Sequence, residues 1–85
     1  MRWHAIAQGF KTESRHFTWC IYDESEYVPG VGIDYRFVLW AFGKSTDEGK
    51  VFITMCKTLD EVKSVAQKLQ DVLSYYPHST QRESN

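Results

Sequence analysis

Residues 58–76 read TLDEVKSVAQKLQDVLSYY, and the fold follows from how that stretch is read. Thr58 stands three residues before Glu61, the spacing at which a hydroxyl and a carboxylate can satisfy the free amide donors of a helix start. Leu59, Val62, Val65, Ala66, Leu69, Val72, Leu73 and Tyr76 recur at steps of three and four, which stacks them on one side of a helix of 3.6 residues per turn. Asp60, Lys63, Ser64, Gln67, Lys68, Gln70, Asp71 and Ser74 fill the other side, and Pro77, lacking an amide hydrogen, ends the run. The stretch predicts one amphipathic helix that needs a sheet or a partner to cover its apolar side.

The residues before it supply strands. RWHAIAQGF (2–10) is read as a first strand and KTESR (11–15) as a polar turn. HFTWCIY (16–22) alternates cleanly, with Phe17, Trp19 and Ile21 against Thr18, Cys20 and Tyr22, and the first set is expected to face the helix. DESEYVPGVGID (23–34) breaks the pattern with carboxylates, a proline and two glycines, and is read as a long loop, Gly30 and Gly32 allowing turns of positive φ. Its Tyr27 and Val28 among carboxylates suit docking on a basic partner.

YRFVLWAF (35–42) is the densest apolar run and is read as the central strand, since both of its sides carry large groups. GKSTDEG (43–49) is a polar tip with glycine at each end. In KVFITMC (50–56), Val51, Ile53 and Met55 alternate with Phe52, Thr54 and Cys56.

The expected fold is therefore α+β: a four-stranded antiparallel sheet (ββββα) with one C-terminal amphipathic helix packed on one face. Residues 1–77 form a single domain, and the polar tail 78–85, without periodicity, is expected to be disordered. One helix covers one face. The other is expected to carry Thr18, Cys20, Tyr22, Arg36, Val38, Trp40, Phe52, Thr54 and Cys56, too apolar for an ordinary solvated surface.

Composition narrows the function classes. Ten Lys and Arg against eleven Asp and Glu give a formal charge of −1, with no global basic field to gather nucleic acid or anionic lipid. Two cysteines are too few for a disulfide scaffold, and a Cys20–Cys56 bridge is left open only for an oxidising compartment. No stretch approaches the roughly 18 consecutive apolar residues of a membrane span, so the chain is read as a cytoplasmic protein.

The motifs for chemistry are weak. His16 and Cys20 lie on one strand side but roughly 13 Å apart, too far for direct proton transfer. His4, His16, Cys20, Cys56 and His78 offer metal-ligand types without paired zinc spacing. Asp23, Glu24 and Glu26 lack the alternation of a calcium loop, and PGVG precedes a strand rather than the helix a phosphate loop requires.

No enzyme activity, cofactor or metal is expected. The reading is a small interaction module, a regulator or inhibitor whose partner is another protein or, in a homodimer, a second copy of itself, that binds protein through its aromatic sheet face or acidic loop. Tyr22, Tyr27, Arg36, Trp40 and Phe52 are its candidate contact residues. The alternative is single-stranded nucleic acid, with Trp40, Tyr22 and Phe52 stacking bases and Lys11, Lys44, Lys50 and Lys57 holding phosphates. Strands followed by a helix are similar in layout to the Whirly- and Pur-type single-strand binders, an analogy of element order without a shared motif.

Overall fold

The computed structural model describes residues 1–44 and 49–75. Among them an antiparallel sheet of five strands precedes one helix, with a separate two-stranded hairpin between the third and fourth sheet strands. The strands are β1 (His4–Ile6), β2 (Gly9–Glu13), β3 (Phe17–Asp23), β4 (Glu26–Val28), β5 (Gly32–Asp34), β6 (Phe37–Gly43) and β7 (Lys50–Cys56), and the helix α1 is Leu59–Tyr75. The main sheet runs β1-β2-β3-β6-β7. The α+β class with a C-terminal helix is as expected; the sheet has five strands rather than four.

The additional strand comes from residues 2–13, which fold back instead of running straight. The chain turns at Ala7–Gln8, so that His4 pairs with Lys11 and Ile6 with Gly9. Lys11, Thr12 and Glu13, expected in a turn, continue β2 and pair with Cys20, Trp19 and Thr18. Thr12 stays in the strand although it is buried, because its hydroxyl donates to the Arg2 carbonyl. The turn shrinks to residues 14–16, where the Ser14 amide and hydroxyl donate to the Phe17 carbonyl at 2.8 and 3.0 Å.

β3 is the middle strand, flanked by β2 and β6, while β6 lies one place off centre but is paired on both sides. Phe17 to Asp23 match Gly43 to Phe37 in seven consecutive pairs. Beyond them the expected loop 23–34 is a hairpin arm, with Glu26, Tyr27 and Val28 opposite Asp34, Ile33 and Gly32. Its tip is a tight turn: the Val31 amide donates to the Val28 carbonyl at 3.0 Å, with Pro29 second and Gly30 third at φ +83°. That is a type II turn, in which a positive φ at the third residue favours glycine. Gly32, at φ +109°, brings the chain back into the second strand of the arm, so the positive-φ reading of both glycines holds.

β7 carries the other departure. Leu39 pairs with Thr54 but Trp40 with Phe52, so Ile53 is an extra residue and the strand bulges there. A single extra residue reverses the alternation beyond it. Val51 therefore shares a side with Ala41, whereas farther along Thr54 and Cys56 share a side with Leu39 and Phe37.

The helix starts where the sequence places it. The Thr58 hydroxyl oxygen accepts the Glu61 amide at 3.1 Å and its hydrogen is directed at the Glu61 carboxylate, also at 3.1 Å. The carboxylate thus holds the capping side chain, an interaction of the kind worth about 1 kcal/mol. Val62 and Ala66 are fully buried against Trp19, Ile21, Leu39 and Ala41, and Leu59, Val65 and Leu69 pack around them. The Trp19 indole N–H reaches both Ser14 Oγ and Gln70 Oε1 at 3.2 Å, tying the middle strand to the helix. The apolar stripe outlasts the sheet beneath it: Val72 and Leu73 remain exposed above a hollow of about 260 Å³ walled by Phe17, Val51, Ile53 and Leu69. Tyr76 and the expected tail 78–85 lie outside the described residues, as do positions 45–48 of the polar tip.

Candidate functional site: the aromatic face and the hairpin arm

Register decides which side chains share the face away from the helix. Thr18, Cys20 and Tyr22 of β3 are opposite Phe42, Trp40 and Val38 of β6, and the last two are opposite Phe52 and Met55 of β7. Thr54 and Cys56, expected on this face, are on the helix side because of the bulge, and Cys56 packs against the core cluster. Met55, 40% exposed, takes their place, and Phe42 joins as well. No sequence signal marks the bulge, since neither glycine nor proline stands at residue 53.

The centre of the face is a platform of aromatic rings. Trp40 and Phe52 meet edge to face with centroids 5.7 Å apart, and Phe52 keeps about half its surface in solvent. Lys50 extends its ammonium over the Trp40 ring, 5.0 Å from the centroid. Cys20 and Val38 are buried at the base. A shallow trough of about 520 Å³ follows the face, walled by Tyr22, Trp40 and Phe42, with Asp23 and Glu24 at one end and Lys50 at the other.

Tyr22, Trp40 and Phe52 are thus brought together as expected of contact residues on one face. Tyr27 and Arg36 are not among them. Arg36 lies outside the strands at the base of the arm, where its Nε is 3.1 Å from Asp34, and Asp34 also accepts Lys57 at 3.0 Å. Hydrogen bonds from Lys57 and then Arg36 hold the Asp34 carboxyl below its ordinary value. Tyr27 belongs to the arm and is 71% exposed. With Ile33 opposite it, Val31 at the tip and Tyr35 stacked at 6.4 Å on Phe37, the arm holds an apolar stripe in solvent. The acidic loop of the sequence is therefore an ordered hairpin with an apolar side.

The four lysines considered as phosphate ligands are all engaged. Lys44 and Lys11 are 3.0 and 3.8 Å from Glu13, Lys57 is on Asp34 and Lys50 on Trp40. Hydrogen bonds from Lys44 first, and then from the Thr18 hydroxyl, hold Glu13 below the usual carboxylate range.

Both cysteines are free, and their places on opposite faces of the sheet exclude the intrachain bridge the sequence left open. Burial raises the Cys20 thiol, with the neighbouring Tyr22 hydroxyl partly opposing it, and burial with the Glu61 charge raises Cys56. A raised thiol is mostly protonated at neutral pH and a slow nucleophile. Iodoacetamide at pH 7.5 should therefore alkylate Cys20 more slowly than a free peptide thiol, and denaturant should remove the difference. Fast labelling of native Cys20 would contradict the burial of this face. Among the described residues, no group of three or more His, Cys, Asp and Glu is placed to hold a metal ion. Among the described residues, no helix is long and apolar enough to cross a membrane.

Comparison with protein-family models, with curated proteins and with solved structures finds no match. The layout likeness to the Whirly- and Pur-type binders also ends at the level of elements, since among the described residues seven strands rather than four precede the helix.

Proposed function

We propose that this chain is a non-enzymatic protein-interaction module of the regulator or inhibitor kind, which engages a protein through the hairpin arm and the adjoining aromatic face. The observation that carries this reading is the arm. Among the described residues its strands pair only with each other, and Tyr27, Val31 and Ile33 are 71, 79 and 53% exposed. A two-stranded hairpin alone is marginal in water, and apolar side chains kept on it gain burial only on contact with another surface. Tyr27 and Trp40 are suited to anchor such a contact, because aromatics dominate interface energies. The partner is a protein of another kind or a second copy of the chain.

Affinity capture from native lysate tests the proposal with the variants Tyr27→Ser with Ile33→Ser, and Trp40→Ala. A protein retained by the parent chain should be lost with either variant while the circular-dichroism melt stays within a few degrees. Equal recovery by all three would refute the reading. The Trp40–Phe52 platform also fits base stacking, but Asp23 and Glu24 beside the trough repel phosphates and the four lysines are already paired. An oligothymidine titration at low salt is expected to leave the Trp fluorescence unchanged, and a saturating response would favour nucleic acid instead.

A further inference from the structure

Ten large apolar side chains are exposed among the described residues, and four of them, Tyr27, Val31, Ile33 and Tyr35, fall within nine consecutive positions of the arm and its base. Five others surround β7 but are divided between the two faces of the sheet. Val51 lines the hollow on the helix side with Val72 and Leu73, while Phe52 and Met55 are on the other face. The arm keeps its set together, and register shows why. Tyr27 and Ile33 are directly opposite each other, so both project from one side of the hairpin. Glu26 and Asp34, the only charges on the two strands, are opposite each other on the reverse side. Asp34 reaches Lys57, between β7 and α1, at 3.0 Å, which turns the charged side toward the body of the domain and the Tyr27–Ile33 side away from it. From Tyr27 to Ile33 the chain reads YVPGVGI, without a charge. A charge-free apolar side is the condition for self-pairing: about a two-fold axis each group meets its own counterpart or a near neighbour of it, and a charged patch would repel its copy. Tyr27, Val31, Ile33 and Tyr35 together leave on the order of 500 Å² per copy in solvent, or about 1,000 Å² for two copies, the lower end for a specific interface.

We infer that the arm is the contact between two copies of this chain: two arms pack face to face about a two-fold axis, Tyr27 and Ile33 of one against Tyr27 and Ile33 of the other, with Val31 and Tyr35 at the margins. The inference rests on the reading of the arm as an interaction surface and names the partner. The two hairpins form layers about 10 Å apart, as stacked sheets do. Each hairpin is marginal alone, and each buries the apolar side of the other. An interface of this size gives a reversible dimer, with a Kd on the order of 10 μM.

Sedimentation equilibrium of the full chain from about 1 to about 300 μM tests this, and the average mass should rise from one chain toward two across that range. Tyr27→Ser with Ile33→Ser should raise the Kd at least about tenfold. Val51→Ser with Val72→Ser, which removes as many exposed apolar groups outside the arm, should dimerise as the parent does. Charges placed near the axis make the test independent of how well the serine variant folds. Tyr27→Lys and Tyr27→Glu should each be monomeric alone, and their equimolar mixture at low salt should recover the dimer. A parent chain that is monomeric over the whole range, a dimer that survives in the serine variant, or a lysine and glutamate mixture that stays monomeric would overturn the inference. If the parent is monomeric while Tyr27→Ser with Ile33→Ser still abolishes capture of a protein, the second copy falls and the arm stands as a surface for a protein of another kind. If capture is also indifferent to the arm, the surface falls with it.

Discussion

Trp19→Ala is expected to cost about 3–5 kcal/mol and to leave the domain close to its unfolding threshold at room temperature. A chain of this size has a total stability of roughly 4–13 kcal/mol, so the loss takes about a quarter of it or more. Trp19 is 1% exposed in the middle strand, packs against Phe17 at 5.7 Å and lies in one cluster with Val62 and Ala66. Its removal opens a cavity under the helix that the short strands around it cannot close. Trp19→Phe separates packing from hydrogen bonding: most of the ring volume stays, while Ser14 Oγ and Gln70 Oε1 lose the donor they share. About 1–2 kcal/mol is expected for that change. Urea unfolding followed by far-ultraviolet circular dichroism gives both values. A Trp19→Ala midpoint within experimental error of the parent would mean that the helix does not pack on this strand.

Gly9→Ala is the second large effect, and its cause is close contact added to a positive φ of +159° that side chains rarely adopt. A Cβ at residue 9 would collide with the Ile21 carbonyl oxygen and stand 2.9 Å from its carbon, both backbone atoms of the neighbouring strand. No rotamer relieves such a clash. β2 must move away from β3, which loosens the Gly9–Tyr22 and Phe10–Ile21 pairs and lifts Phe10 from the core. The expected cost is about 3 kcal/mol or more. Gly30→Ala is the contrasting change, since nothing lies within 4 Å of its added carbon. Only its positive φ is strained there, for about 1 kcal/mol. Comparable midpoints for the two variants would show that β2 does not approach β3 this closely.

The helix was legible from sequence because its signal is periodic and long: a stripe of eight apolar positions and a cap three residues from its glutamate leave one arrangement. β3 was legible for the same reason, its alternation matching the observed burial of Trp19 and Ile21. The β1–β2 hairpin was not, because Ala7–Gln8 carries no turn residue and Gly9, the residue that matters, is needed for close approach rather than for turning. The arm was hidden by its own composition, for prolines, glycines and carboxylates also mark irregular loops. Its type II turn could have been suspected from Pro29 followed by Gly30. The bulge at Ile53 left no trace, since alternation continues through it by residue type while the geometry reverses. That one residue moved Thr54 and Cys56 off the candidate face and put Met55 onto it. Of the candidate contacts, the three on sheet strands were placed together correctly. Arg36 was placed wrongly because its alternation position was counted where the strand had already given way to the base of the arm.

The hairpin arm also bears on how the chain reaches its fold. Thirteen residues separate Asp23 from Phe37, the first matched pair of the long β3–β6 ladder. Were that interval to fold first at its type II tip, the two long strands would be brought side by side before their own pairs form, and the ladder could zip away from the arm without a separate long closure. Hairpins of this kind form in about 1–10 μs. On that route the surface proposed for a partner would also be the place from which the sheet begins to assemble.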